Sequence, residues 1–146
     1  RVRSGGSPLR LLILGEGSLR TGLENQAREL GLGQAVRFLG FVENPLDYIV
    51  RADVFLMASI WEGYPNALLE AAAWGIPCVS TDCAGGGARD ILGQGAVCSP
   101  GALDQFTRAL RAQIEGPRRH RAPATRPHDI REIATAHRDL ALGPAR

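Results

Sequence analysis

The chain has 146 residues, of which 45% are hydrophobic and 22% charged, and its formal net charge is +2. These values are typical of a globular protein with its own core, and so small a net charge gives no argument for nucleic-acid binding. No apolar run is long enough to span a membrane. The three cysteines, Cys78, Cys83 and Cys98, form no Cys-x-x-Cys pair. We therefore expect no metal site and no disulfide, and a cytoplasmic protein with reduced thiols.

Short apolar runs alternate with helical patterns over most of the chain. The sequence predicts strands at 9–14, 36–39, 54–58, 78–81 and 96–98, and helices at 19–30, 45–51, 65–74 and 103–114. The run at 9–14 is continuous enough for a strand buried in a parallel sheet. This alternation is typical of βαβ units, so we expect an α/β fold, a Rossmann-like parallel sheet with helices on both faces.

The composition changes near residue 116. We expect the Rossmann-like domain at 1–116, a basic, proline-rich linker at 117–128, and a C-terminal helix and tail at 129–146, with Asp129 as the N-cap. The linker leaves open a weak peripheral contact with acidic lipids at the inner face of a membrane. Its lack of apolar anchors favours a solvated surface segment instead.

The segment from Ser59 to Trp74 carries most of the chemistry. A strand ends before it, Glu62 and Gly63 lie in a loop, and Pro65 stands where a helix begins. The free N–H groups of a helix start attract anions, and ligands bind beyond the carboxyl ends of parallel strands. Glu62 and Glu70 flank this phosphate-binding position, so they suit two sugar rings joined by a diphosphate. From spacing alone, a loop carboxylate favoured by the helix dipole and a solvated helix residue are the simpler explanation of the pair, because acidic residues are common in early helical turns.

Several motifs together make the chain resemble a known family. They are LLILGEGSLR (11–20), ARELGL (27–32), VRFLGFVENP (36–45), RADVFLMAS (51–59), WEGYPNALLEAAAWGIPCVSTDC (61–83) and ARDIL (88–92). With the E-x7-E spacing of Glu62 and Glu70, they resemble the C-terminal, nucleotide-sugar-binding half of retaining glycosyltransferase family 4, which has the GT-B fold. The resemblance covers about residues 9–92 and weakens beyond them.

The resemblance implies a hexosyl transfer that retains anomeric configuration, without a metal or other cofactor, from a UDP-, GDP- or ADP-sugar to a glycan or lipid acceptor. Glu62 would be the catalytic residue that holds a donor-sugar hydroxyl, and Glu70 would bind the ribose. The implied donor-binding residues are Gly15, Gly17, Gly40, Phe41, Val42, Gly63, Tyr64, Pro65, Asn66, Ala67, Leu68 and Glu70. Within this set the nucleobase would lie near Gly40, Phe41 and Val42, and backbone N–H groups of Gly63 to Leu68 would cradle the diphosphate.

Some features depart from the family pattern. The family places an Arg and a Lys on the donor phosphates, whereas all 17 basic residues here are arginine. The acceptor would bind through an N-terminal domain that is missing here, so the chain is expected to be a fragment that binds donor weakly and is inactive alone. Ala88 and Asp90 also differ from the family's usual residues.

Two other functions stay open at this point: a GT-B nucleotide-sugar epimerase or hydrolase, and a degenerate, non-catalytic binding domain. Three side chains also have two interpretations each. Arg89 is expected to form a structural ion pair rather than bind an anion. Trp61 and Tyr64 either line the cleft or pack under the loop.

Overall fold

The computed structural model of the chain describes residues 9–93 and 96–116. These residues fall into two compact units, the first ending at Pro45 and the second beginning at Leu46. Each unit is described by itself below.

The first unit contains one βαβ motif. It consists of strand β1 (Leu11–Leu14), helix α1 (Arg20–Glu29) and strand β2 (Val36–Gly40). The two strands are parallel, with Leu11 opposite Val36. Leu11 and Leu12 are exposed, so the prediction of a buried strand was wrong here. Within the described part of the chain β1 pairs with β2 alone, and this two-stranded sheet does not enclose it.

The second unit contains three parallel strands in the order β3-β4-β5. Its elements are α2 (Leu46–Ile49), β3 (Phe55–Met57), α3 (Asn66–Ala73), β4 (Cys78–Thr81), α4 (Gly87–Leu92), β5 (Val97–Cys98) and α5 (Leu103–Glu115). Phe55 pairs with Cys78 and Ser80 with Val97. All four residues of the central strand β4 are buried, as an apolar parallel strand requires.

Helix α3 supplies much of the core of the second unit. Its residues Leu68, Leu69 and Ala71 are buried, and the same core includes Ile49, Ile76, Cys78 and Ala88. The helix ends at Ala73, and the positive φ of Gly75, 67°, lets the N–H of Ile76 reach back to the carbonyl oxygen of Ala71. Burial on this face fixes the direction in which the N-terminus of α3 points.

The parallel α/β class that the sequence predicts is confirmed, and each predicted strand and helix up to residue 115 is present within a few residues. Helix α4 was not predicted, because its start, Gly86 and Gly87, is typical of a loop. The proposed linker and C-terminal helix lie outside the described residues. Among the described helices, none has the length and apolar character needed to cross a membrane.

Candidate functional site

The loops that follow β3 and β4 leave the same edge of the sheet, because the two strands are parallel neighbours. The first loop carries Glu62 and leads to α3, and the second leads to α4. Trp61 and Ala84 form an isolated parallel bridge, and the N–H of Glu62 donates to the carbonyl oxygen of Ala84 at 3.3 Å. The loops are therefore joined through their backbones at the carboxyl edge, where ligands bind in such sheets.

The start of α3 presents unpaired backbone donors. Pro65 is the N-cap, and its carbonyl oxygen accepts the N–H groups of Leu68 and Leu69, each at 3.1 Å. Among the described residues, no acceptor bonds the N–H groups of Gly63, Tyr64, Asn66 or Ala67. Asn66 and Ala67 are exposed, whereas the Leu68 side chain belongs to the core. Four free donors near a helix N-terminus suit an anion.

The two acidic residues of the E-x7-E spacing lie in different surroundings. The Glu62 carboxylate accepts a hydrogen bond from the Ser59 hydroxyl, with Oγ 2.7 Å from Oε1. Glu70 lies in the second turn of α3 and is half-buried, and its carboxylate has no hydrogen-bond or ion-pair partner within the described ranges. One carboxylate is therefore held in place, and the other is free to accept hydroxyl groups.

Two glycines let the second loop approach the first. Gly85 has a φ of 111°, and a Cβ atom on it would overlap the carbonyl oxygen of Glu62. A Cβ atom on Gly87 would lie 2.7 Å from the carbonyl oxygen of Gly63 and 2.8 Å from Cδ of Pro65. Larger residues at either position would push the two loops apart, so these glycines hold the backbone around Glu62.

The remaining predicted site residues lie in the first unit. Gly15 and Gly40 both have positive φ, 106° and 72°, and the N–H of Gly15 donates to the carbonyl oxygen of Gly40 at 2.7 Å. Gly17 accepts the N–H of Arg20 at 3.1 Å at the start of α1. Phe41 is 80% exposed and Val42 is half-buried. The structure thus brings Gly15, Gly40 and Phe41 together, and their contact with a nucleobase stays a prediction.

Arg89 forms the ion pair that the sequence favoured. Both of its terminal contacts go to Asp82: Nε donates to Oδ1 at 3.2 Å, and Nη2 bonds Oδ2. These hydrogen bonds, and then the charge of Asp82, raise the pKa of the Arg89 guanidinium. The pair ties the end of β4 to α4, so Arg89 is occupied within the protein.

Trp61 and Tyr64 do not pack under their loop, because 72% and 49% of their surfaces are exposed. They flank Glu62 and Gly63, and their rings face solvent. In the described part of the chain, no three His, Cys, Asp or Glu side chains lie close enough together to hold a metal ion.

Sequence reasoning missed the residues that hold Glu62. Ser59 and Thr81 carry no recognisable spacing, since one follows β3, the other ends β4, and they are 22 residues apart. The run Gly85–Gly86–Gly87 was a usable signal, because three consecutive glycines after a strand indicate a close backbone approach.

The chain is similar in sequence and in fold to several known proteins. Residues 1–115 match the family model described as glycosyl transferases group 1. Lipopolysaccharide 1,6-galactosyltransferase of Salmonella typhimurium is 36% identical over 113 residues, which cover 73% of this chain and 31% of that protein.

Two solved structures resemble the fold. The apo form of the lipopolysaccharide outer core galactosyltransferase WaaB superposes with a TM-score of 0.69 at 33% identity, over 92% of this chain and 37% of that one. Anabaena HepE, solved in complex with UDP, gives a TM-score of 0.63 at 21% identity, over 91% and 35%.

The chain therefore spans about a third of the length of each of these proteins. Its strands and helices correspond to the Rossmann-like C-terminal half of the GT-B fold. Because the family model matches well over half of its residues, the chain belongs to the group 1 glycosyl transferases.

Proposed function

We propose that this chain is the donor-binding half of a retaining glycosyltransferase of family 4. It binds a nucleoside-diphosphate sugar, and the complete enzyme transfers the hexosyl unit to a glycan or lipid acceptor with retention of configuration. The observation that carries the proposal is the set of unpaired N–H groups at the start of α3, flanked by Glu62 and Glu70.

The diphosphate of the substrate binds to the unpaired backbone N–H groups at the start of α3. Gly63, Tyr64, Asn66 and Ala67 offer four N–H groups that no described residue uses, at the positive end of the α3 dipole. Departure of the nucleoside diphosphate builds negative charge while the sugar becomes oxocarbenium-like. Fixed N–H groups stabilise that charge more in the transition state than in the ground state.

The two carboxylates bind different sugar rings of the donor. Glu70 lies about one turn beyond the N-terminus of α3 and accepts hydrogen bonds from the ribose hydroxyls. Glu62 lies before the helix, on the other side of the diphosphate, and accepts a hydroxyl of the transferred sugar. Carboxylates and sugar hydroxyls form charge-assisted hydrogen bonds, which are stronger than neutral ones.

The relatives support transfer over hydrolysis or epimerisation, since the names of those similar over most of the chain describe galactosyltransferases. Binding of the acceptor through a further, N-terminal domain, and inactivity of the chain by itself, are parts of the proposal. Product analysis of the complete enzyme tests the reaction: a transferred hexose supports the proposal, whereas free hexose alone would support a hydrolase.

The donor site is tested on the chain itself by NMR titration with UDP, GDP and ADP. We expect at least one of them to shift the amide signals of Gly63, Tyr64, Asn66 and Ala67 at millimolar concentration. Glu70→Gln should weaken that binding about tenfold, the loss expected when a charged hydrogen-bond acceptor is removed.

The matched control is Glu115→Gln, at the exposed last residue of α5. It removes one negative charge from the same unit and should leave the affinity unchanged. If none of the three nucleotides moves these amides while the spectrum shows an intact fold, the site assignment is wrong.

A further inference from the structure

The backbone of Glu62 is fixed from two directions by the loop that follows strand β4. Its N–H donates to the carbonyl oxygen of Ala84 at 3.3 Å, and Gly85 packs against its carbonyl oxygen. These contacts place the backbone of Glu62 and leave the carboxylate to be oriented by something else.

A short hydrogen-bond chain orients that carboxylate. Thr81, the last residue of β4, is 6% exposed, and its Oγ1 donates to the carbonyl oxygen of Ser59 at 2.5 Å. The Ser59 hydroxyl in turn donates to Oε1 of Glu62 at 2.7 Å. Thr81, a buried residue of the sheet, thus holds the backbone of Ser59, and the hydroxyl of Ser59 holds the carboxylate of Glu62.

The two oxygens of the Glu62 carboxylate differ as a result. Oε1 accepts the Ser59 hydroxyl, whereas Oε2 accepts no hydrogen bond from the described residues. A glutamate has three side-chain torsions, and ordering them on binding lowers affinity. Holding one oxygen in advance leaves the other directed and available for a ligand hydroxyl.

We propose that Ser59 is a positioning residue for Glu62, anchored by Thr81, and that it pre-orders Oε2 to accept a hydroxyl of the donor sugar. This inference rests on the proposed function, since it requires Glu62 to meet the sugar. Ser59 itself contacts no substrate, so its removal affects the sugar part of the donor and spares the nucleoside diphosphate.

The ordering of Glu62 is measured first without any ligand. Three-bond couplings of the Glu62 β-protons should report one χ1 rotamer in the unchanged chain and in Ser59→Thr, which keeps the hydroxyl. Ser59→Ala should show averaging between rotamers. Averaging in the unchanged chain, or a single rotamer in Ser59→Ala, would overturn the proposal.

The effect on binding is measured as a ratio of two dissociation constants, that of the nucleoside diphosphate divided by that of the nucleoside-diphosphate sugar. A loss of contact with the sugar lowers this ratio. The probes are UDP with UDP-galactose, GDP with GDP-mannose, and ADP with ADP-glucose. We expect Ser59→Ala to lower this ratio about threefold to tenfold for the pair that binds, and Thr81→Val to lower it less. Ser59→Thr and Thr81→Ser should restore it. A general loss of stability would weaken both ligands equally and leave the ratio unchanged.

Two further variants separate failure of this inference from failure of the proposed function. Glu62→Gln should lower the ratio, and Ser59→Ala added to it should have no further effect, because the two residues act as one unit. If Glu62→Gln lowers the ratio and Ser59→Ala does not, the positioning role is wrong and the proposed function stands. If Glu62→Gln also leaves the ratio unchanged, Glu62 does not meet the sugar and both are wrong.

Discussion

The Glu16 carboxylate accepts a hydrogen bond from the backbone N–H of Phe41, 25 residues further along the chain, with Oε1 3.3 Å from the nitrogen. The same oxygen accepts Nη1 of Arg20 at 2.8 Å, and Nη2 of Arg20 donates to the carbonyl oxygen of Phe38 at 3.1 Å. Nε of Arg20 also donates to Oε1 of Glu24 at 2.9 Å, and the hydrogen bonds with Glu24 and then with Glu16 raise the pKa of the Arg20 guanidinium. The loop after β1 is thereby tied to the end of β2, next to the residues predicted to meet a nucleobase.

Glu16→Ala should loosen the end of β2. Without the carboxylate, the Phe41 N–H loses its acceptor. We expect its rate of hydrogen exchange with solvent to rise on the order of fivefold to tenfold, which corresponds to the net free energy of one hydrogen bond. Native-state hydrogen exchange followed by NMR measures this. Glu29→Ala, an exposed charge in the same unit, is the control and should leave the Phe41 exchange rate unchanged. Equal rates in Glu16→Ala and the unchanged chain would contradict the prediction.

Gly85→Ala should destabilise the second unit more than Gly86→Ala. Both positions have positive φ, 111° and 76°, so both substitutions strain the backbone, by roughly 1 kcal/mol. A Cβ atom on Gly85 would also overlap the carbonyl oxygen of Glu62, whereas one on Gly86 meets nothing within 4 Å.

The free energy of unfolding, from urea titration, should therefore fall about 1–2 kcal/mol further in Gly85→Ala than in Gly86→Ala. Equal losses would mean that the two loops do not press on each other as described.

Cys78 makes stability depend on alkaline pH. Burial raises the pKa of its thiol from 9.0 to about 12, so the folded chain keeps the proton where the unfolded chain loses it. The unfolded state then binds fewer protons, and stability is complete below pH 9 and falls as the pH rises towards 12. Between pH 8 and pH 10.5 we expect the unchanged chain to lose about 2 kcal/mol more than Cys78→Ala.

Urea titrations at the two pH values measure this difference, and the variant serves as the control for every other titrating group. A parallel loss of stability in both proteins would show that the Cys78 thiol is accessible to water. Alkylation supplies a second readout: iodoacetamide should modify Cys78 in urea and leave it unmodified in the folded chain.

Arg89 should contribute little to donor binding, because its guanidinium is paired with Asp82. We expect Arg89→Gln to change the affinity for the nucleoside diphosphate less than twofold, since the guanidinium contacts Asp82 and the loss of an exposed ion pair costs little. The same NMR titration that tests Glu70→Gln measures this. A tenfold loss in Arg89→Gln would show instead that the guanidinium leaves Asp82 to bind phosphate.

Much of the second unit follows from local patterns. Strand β4 was predicted at its observed bounds because four apolar or small residues stand between proline and a polar loop. Helix α3 was predicted because Pro65 and Gly75 mark its ends. Helix α4 was missed because its glycine-rich start is typical of a loop. Those glycines are required by the close approach to Gly63 and Pro65, which are distant in sequence, so no local pattern predicts the helix.

In the candidate site too, some residues follow from local sequence patterns and others depend on contacts between distant parts of the chain. Glu62 and Glu70 were found through a fixed spacing within one loop and helix. Ser59, Thr81 and Glu16 act across strands or between loops, and such contacts depend on side-chain geometry that follows from the folded sheet. The exposure of Trp61 and Tyr64 could not be predicted either, because it depends on the conformation of the loop in the folded chain.

The contact of Gly85 and Gly87 with the loop around Glu62 has a consequence for engineering. Residues 59–89 form one structural unit, because the conformation of the loop around Glu62 depends on the packing of the Gly85–Gly87 loop against its backbone. We therefore expect that an exchange of the proposed donor specificity between relatives requires this whole stretch of 31 residues to move together. A graft of residues 59–74 alone would place foreign side chains against Gly85 and Gly87 and lose the geometry it was meant to transfer.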